Sequence, residues 1–328
     1  MNYAIIGCGL IGKKRLAALP PGSKLALACD TDLARARSLV ELATTGRAAA
    51  DFKEAVSDPA VDAVVVATIN STLAEIAQAA IHAGKHVIVE KPAGISVQEI
   101  DRLIEYEQKH GVCVRVGFNH RYHPAFLKAR EIFESGVMGP LMFIRGRYGH
   151  GGRLGYDKEW RADPKLAGGG ELLDQGIHLI DLAAWFLGDF KKVAGHLATY
   201  FWNMPVEDNA FLDLQTGAGQ TAWLHVSCTE WKNLFSFEIY GRNAKLHVDG
   251  IGGSYGAEKL IHYQMKPEMG IPKTEVYEFS GPDESWRNEM LAFENDARLK
   301  RRPDAGLVQV REALRIVESI YEQTPKKL

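Results

Sequence analysis

Tyr3–Ile6 is a short apolar run that passes directly into Gly7-Cys8-Gly9-Leu10-Ile11-Gly12, and a helical stretch, Lys13–Leu19, follows. Strand, Gly-x-Gly-x-x-Gly, helix is the order in which each glycine has a mechanical task. The first makes a tight turn, the second lets a pyrophosphate approach the backbone, and the third lets helix and strand pack closely. The helix N-terminus then faces the phosphates. A second strand, Lys24–Cys29, ends in Asp30, at the spacing of roughly 20 residues where an acid bonds ribose hydroxyls. Two readings of Asp30-Thr31-Asp32 stand: a ribose-binding carboxylate at Asp30, or a simple N-cap for the helix Leu33–Leu42. On the first reading Gly7, Gly9, Leu10, Ile11, Gly12 and Asp30 bind a dinucleotide. NAD is expected over NADP, because a carboxylate at Asp30 repels a 2′-phosphate and the nearest following arginine, Arg35, is a turn or more into the helix.

The alternation continues. Ala48–Asp51 reads as a weak third strand and Phe52–Val56 as a short helix; Val61–Ala67 is an apolar fourth strand, and Thr72–Ala83 a helix closed by Gly84. His86–Val89 has the composition of a strand buried on both faces, which can carry charge only at its ends. Glu90 and Lys91 stand at its carboxyl end, and Pro92 stops the ladder because it has no N–H to give. In an open parallel sheet the crevice beyond the carboxyl ends of the strands binds ligands, which places Lys91 like a working lysine. Standing alone, the pair reads better as a solvated strand end. Lys91-Pro92 is a candidate cis bond, since an X-Pro bond loses most of the trans preference. Ser96–His110 is amphipathic, with Ser96 and Glu99 as a capping box and Gly111 closing it, and Val112–Phe118 is a sixth strand. Strands alternating with helices in this way predict a doubly wound parallel sheet, an α/β domain over residues 1–120.

After Phe118 the pattern changes. Pro124–Ser135 suggests a helix, Leu141–Tyr148 a strand and Glu171–Leu187 a helix. Strands are then expected at Val193–Trp202, Ala210–Gln215, Gln220–Cys228, Phe235–Tyr240, Lys245–Val248, Leu260–Gln264 and Glu275–Phe279, in an antiparallel meander. Helices at Ser285–Leu299 and Leu307–Tyr321 close the chain. The second expected domain, residues 121–328, is therefore α+β with an open, mainly antiparallel sheet, its last helix free to pack back on the first domain. Two domains also suit a chain of 328 residues.

Composition excludes several partners. Acidic and basic residues nearly balance, 41 against 39, which argues against nucleic acid or an anionic membrane. No apolar run is long enough to span a bilayer. Lys13, Lys14 and Arg15 follow the first apolar run rather than precede it, the wrong order for a signal peptide. Cys8, Cys29, Cys113 and Cys228 are scattered without a C-x-x-C pair and read as buried thiols, so a cytoplasmic protein is expected.

In the second half, Gly168-Gly169-Gly170 can bring a helix N-terminus close to a ligand. Asp174 and His178 are four apart on the helix that follows, hence on one face, with Asp181 three further on. A surface Asp–His pair, a metal pair and an acid–base pair are the three readings; with no third ligand indicated, metal is discounted. Asn119, Arg121 and Tyr122 after the sixth strand, and Arg153, Tyr156, Trp160 and Arg161 before the glycines, offer the bidentate bonding and stacking that suit a hydroxylated or phosphorylated substrate. Tyr122 and Trp160 fit a core role equally well.

The chain resembles the glucose–fructose oxidoreductase, inositol dehydrogenase and MocA-like (Gfo/Idh/MocA) oxidoreductases over essentially its whole length. The carriers are Gly7–Gly12, Ala83-Gly84-Lys85-His86-Val87 leading into Glu90-Lys91-Pro92, Gly168-Gly169-Gly170-Glu171-Leu172-Leu173-Asp174-Gln175-Gly176-Ile177-His178, and Ala313–Tyr321. The resemblance implies a Rossmann domain, a second domain with an open antiparallel sheet, and hydride transfer between nicotinamide and a sugar, nucleotide sugar or cyclic polyol. It implies Lys91, Asp174 and His178 at the reacting centre, Thr68, Asn70, Glu90 and Lys91 along the cofactor, and a homodimer or homotetramer paired through the second sheet. One departure stands out: where the family has Thr-Pro-Asn and then His, this chain has Thr68-Ile69-Asn70 and then Leu73.

Chemistry orders the implied roles. A histidine titrates near neutrality and suits proton transfer, whereas a lysine titrates near ~10.4 in water and becomes a base only when burial or a nearby positive charge lowers it. His178 is then the proton carrier and Lys91 polarises the reacting oxygen, with the exchanged assignment still open, and Asp174 orients the substrate. Two alternatives accompany this reading: an NADP-dependent keto-sugar reductase, and a cofactor-binding regulator that does no chemistry.

Overall fold

A computed structural model describes residues 1–252 and 256–324. The elements run β1 (Asn2–Ile6), α1 (Leu10–Ala17), β2 (Lys24–Cys29), α2 (Leu33–Ala43), β3 (Arg47–Ala49), α3 (Phe52–Ser57), β4 (Ala63–Val66), α4 (Asn70–His82), β5 (His86–Glu90), α5 (Val97–His110) and β6 (Val114–Gly117). They continue through α6 (Pro124–Glu134), β7 (Leu141–Gly149), α7 (Pro164–Ala167), α8 (Ile177–Leu187), β8 (Phe190–Ala198), β9 (Asn209–Thr216), β10 (Thr221–Ser227), β11 (Leu234–Gly241), β12 (Ala244–Asp249), β13 (Lys259–Gln264), β14 (Lys273–Glu278), α9 (Ser285–Leu299) and α10 (Leu307–Gln323). Two compact units form: Met1–Phe118 with Lys165–Gly168 and Trp286–Leu314, and Asn119–Pro164 with Gly169–Ser285 and Arg315–Leu328.

The first unit is built on a six-stranded sheet in the order β3-β2-β1-β4-β5-β6, every neighbouring pair parallel. This is the doubly wound arrangement expected from the glycine pattern and the alternation, with its order reversal at β1 and β4. Residues Tyr3–Ile6, Ala63–Val66 and Val87–Val89 are buried throughout, as strands covered on both faces must be. Met290 and Phe293 of α9 complete the core around Tyr3, Ile5 and Ile88. Helix boundaries follow local chemistry: Ser96 Oγ accepts from the Glu99 N–H, Glu99 Oε2 accepts from the Ile95 N–H, and Gly111 ends α5 at φ 65°. Asp32, not Asp30, caps α2, accepting from the Ala34 N–H at 3.0 Å. Ile69 holds φ −71° and ψ 155°, a backbone that a proline also adopts. Leu73, where the family has histidine, is fully buried.

The second unit carries an eight-stranded sheet ordered β14-β13-β12-β11-β7-β10-β9-β8. It is not the plain meander read from the turn residues. β7, the first strand of this sheet in chain order, inserts between β11 and β10 and runs parallel to β10, so two antiparallel runs meet across one parallel pair. The expected strand Val193–Trp202 is also revised, because β8 ends at Ala198. The Asp208 carboxylate accepts the N–H groups of Tyr200, Phe201 and Trp202 at 2.8–3.0 Å, which takes the chain out of the ladder.

The helix expected over Glu171–Leu187 opens as a π-helical turn, Leu172–Gly176, before α8 begins. A π turn bonds i to i+5, and such turns gather at functional sites. It also alters the spacing on which the Asp174–His178 one-face reading depended.

Candidate functional site

In the first unit the glycine turn has the shape its sequence requires. Gly7 has φ +95°, and a Cβ there would stand 2.3 Å from Ala67 O; a Cβ on Gly12 would stand 2.1 Å from Gly7 O. A Cβ on Gly9 meets nothing within 4 Å, so the second glycine leaves open space at the start of α1 where a pyrophosphate can reach the backbone. Leu10 is exposed and Ile11 half-buried in the first turn of α1. Asp30 Oδ2 accepts from the Cys8 N–H at 2.8 Å and Oδ1 from the Asp32 N–H at 2.9 Å. The cap is supplied by Asp32, so the Asp30 carboxylate stands over the glycine turn. These residues fit a dinucleotide.

Thr68 Oγ1 receives the Thr72 hydroxyl at 2.9 Å, and Asn70 donates Nδ2–H to Ala167 O at 2.9 Å. Lys91 follows β5, half-buried, and its bond to Pro92 is cis. Glu90, assigned to the cofactor from sequence, has its carboxylate committed elsewhere. Its Oε1 accepts from Arg15 Nε at 2.6 Å, and Arg15, fully buried, pairs at its other end with Glu289 Oε2 at 2.6 Å. Sequence reading missed this arrangement. Its signal is in α9, where Glu289 and Asp296 adjoin the buried stripe Met290, Phe293 and Ala297. Asp296 in turn takes the guanidinium of buried Arg115. Burial pushes the Glu289 carboxyl up to about 7, with Arg15 opposing and Glu90 adding to the shift.

In the second unit the sequence-predicted residues divide. His178 is buried and lies face to face with His120, ring centroids 4.0 Å apart and planes 11° from parallel. Tyr148 stands edge-on to His178 and tilted to His120. Asp174 Oδ2 accepts from Arg161 Nε at 3.2 Å, and the Arg161 guanidinium lies 4.5 Å over the Trp160 ring. Asn119 donates to Ser285 Oγ and its Oδ1 meets His120 Nδ1 at 3.2 Å. Tyr122 is buried.

Arg121 and Tyr156 take different work from that expected. Arg121 is buried and grips Asp181 with two bonds of 2.7 Å, its plane over Trp185. Its fork is filled by a carboxylate of the protein. Tyr156 is buried against Trp202 and donates its hydroxyl to Glu171 Oε1 at 2.9 Å. The triple glycine also has a packing reason: a Cβ on Gly169 would stand 2.0 Å from the Tyr321 hydroxyl, and one on Gly170 2.1 Å from Glu207 O. Glu207 Oε1 accepts from the Gly170 and Leu172 N–H groups and from the Tyr321 hydroxyl, fixing the start of the π turn. Burial, with Asp174 nearby, pushes the Glu171 carboxyl up to about 8, and burial lowers His150, whose Nε2 lies 3.7 Å from Glu171.

Fold and glycine turn define a dinucleotide-binding protein of the Rossmann class with an appended eight-stranded sheet. Residues 1–118 match the family described as oxidoreductases with an NAD-binding Rossmann fold, and residues 126–247 match the GFO/IDH/MocA C-terminal domain. The chain belongs to the Gfo/Idh/MocA oxidoreductase family. It is 32% identical to inositol 2-dehydrogenase 2 of Saccharopolyspora erythraea over 57% of this chain and 54% of the relative. It is 30% identical to levoglucosan dehydrogenase of Pseudarthrobacter phenanthrenivorans over 67% and 59%, so the matched segments span between half and two thirds of these two proteins. With the scyllo-inositol 2-dehydrogenase (NAD(+)) of Bacillus subtilis it shares 30% over 80% of this chain and 75% of that one. A solved levoglucosan dehydrogenase in complex with NADH and levoglucosan shares the fold, with TM-score 0.87 at 21% identity over 98% of this chain and 96% of that one. Among the described residues, no helix is long and apolar enough to cross a membrane.

Proposed function

We propose that this protein is an NAD-dependent dehydrogenase that interconverts a secondary alcohol and a ketone on a cyclic polyol or sugar, the class named in its inositol and levoglucosan relatives. The observation that carries the cofactor choice is the Asp30 carboxylate bonded over the glycine turn, which suits two ribose hydroxyls and repels a 2′-phosphate. Residues 1–120 are assigned to the dinucleotide and 121–328 to substrate binding and assembly.

NAD, when bound, supplies the hydride acceptor. His178 receives the hydroxyl proton, Lys91 hydrogen-bonds and polarises the reacting oxygen, and Asp174, held by Arg161, orients the substrate. Arg161 and Trp160 offer a donor fork and a ring to hydroxyl groups and sugar faces. Asn119, bonded to His120, and buried Tyr122 complete the proposed site; Arg121 and Tyr156 support it through Asp181 and Glu171.

Assembly as a homodimer or homotetramer through the second sheet is supported by its open face, where Trp223, Met142 and Val276 are exposed while Leu224, Leu212 and Val226 cover the core. Four buried free thiols suit a cytoplasmic location. The test is a spectrophotometric panel of inositols, anhydrosugars and hexoses with NAD and NADP. Reduction of NAD by a cyclic polyol or sugar is expected. Exclusive use of NADP, or no reduction with any member, would overturn the reading.

A further inference from the structure

His120 and His178 form a stacked pair with centroids 4.0 Å apart and planes within 11°. Both rings are nearly out of solvent, 8% and 4% exposed. Tyr148, on β7, stands edge-on to His178 and tilted to His120, and Phe235, on β11, stands edge-on to His120. Of the charged residues near the two histidines in sequence, Arg121 pairs with Asp181 at 2.7 Å and Asp174 with Arg161 at 3.2 Å, and His120 Nδ1 meets Asn119 Oδ1 at 3.2 Å.

Two imidazoles at this separation titrate as one system. A single imidazolium gains from lying over a neutral aromatic ring, whereas two positive charges a ring's thickness apart repel strongly in a poorly hydrated setting. We propose that His120 is a positioning residue acting through His178: the stacked pair takes up one proton and resists a second, which fixes the His178 ring and keeps it able to receive the substrate hydroxyl proton. The step balances simply. The O–H bond breaks and its proton goes to an imidazole nitrogen, later leaving to water; NAD, when bound, would take the hydride that the carbon gives up. This inference rests on the catalytic assignment of His178 made above.

The test is a histidine-labelled NMR titration of the full chain, in the parent and in His120→Phe and His178→Phe. Coupling requires that the two parental pKa values sum to more than one unit below the sum of the two single-variant values. Equal sums would overturn the proposal. Turnover gives the second readout: His120→Ala should lose at least about tenfold in kcat with NADH binding unchanged, and His120→Phe, which keeps the stack, should recover most of that loss at neutral pH. Equal kcat in His120→Ala and the parent would also overturn it. Should His120→Phe fail to fold, His120→Gln takes its place in the titration. If coupling is present but His178→Ala turns over normally, the catalytic assignment of His178 falls and the coupling stands.

Discussion

The Cys8 N–H donates to Asp30 Oδ2 at 2.8 Å, so the carboxylate that ends β2 is held against the turn that ends β1. On the proposed reading, two ribose hydroxyls donate to the acid held there. Hydrogen bonds to a charged group contribute about 1.5–3 kcal/mol, or roughly ten- to a hundredfold in Kd. Fluorescence titration should show NADH bound at least tenfold more tightly than NADPH, and Asp30→Ala should erase most of that difference by weakening NADH. A parent that prefers NADPH would contradict this.

The Arg15 guanidinium serves two buried carboxylates, Glu90 and Glu289, at 2.6 Å each. Removing one partner from a buried ion pair typically costs about 3–5 kcal/mol, so Arg15→Met should lower Tm markedly, read by calorimetry. The set also predicts a pH dependence. Glu289 titrates at about 7 in the folded chain, against about 4.3 unfolded. Between these values the native state holds a proton that the unfolded state has released, so stability falls as pH rises through the window. Glu289→Gln should flatten that slope, and an unchanged slope would remove Glu289 as its source.

Arg121 and Arg161 looked alike in sequence and should separate by experiment. Arg121→Ala exposes a buried Asp181 to loss of its partner and should cost about 3–5 kcal/mol of stability. Arg161→Ala removes a partner of Asp174, whose side chain is 17% exposed and keeps some contact with solvent, so it should cost less stability than Arg121→Ala and should raise KM with a smaller effect on kcat. A pattern reversed between the two would contradict these assignments.

Much of the first unit could be read from its residues because the constraints are local. The glycines, the doubly buried strands, Ser96 as a cap and the Lys91-Pro92 bend all declare themselves within a few positions. What was not legible depends on distant partners. Arg15 and Glu289 are 274 positions apart, and a loop arginine such as Arg121 reads the same whether it meets a ligand or Asp181. The parallel pairing of β7 with β10 is likewise long-range, since turn residues name hairpins but not insertions. The π turn kept the apolar spacing of an ordinary helix. His120 gave no sign, being one polar residue in a run of them.

Lys91 and His178 are assigned to the reacting oxygen and the glycine turn to the cofactor, so the two functions should come apart. Lys91→Ala and His178→Ala should each lose a factor of about 10²–10⁴ in kcat, while NADH titrates as in the parent. Near-parental turnover in either variant would remove that residue from the chemistry.

In the proposed reaction a hydride leaves a ring carbon of a polyol or sugar for the nicotinamide. It is tested most directly with the best substrate from the panel, deuterated at its carbinol positions, and mass spectrometry of the reduced cofactor. One deuterium is expected in the nicotinamide ring, carried over with a slowed rate. Reduced cofactor without deuterium, or cofactor that binds and is never reduced, would contradict it.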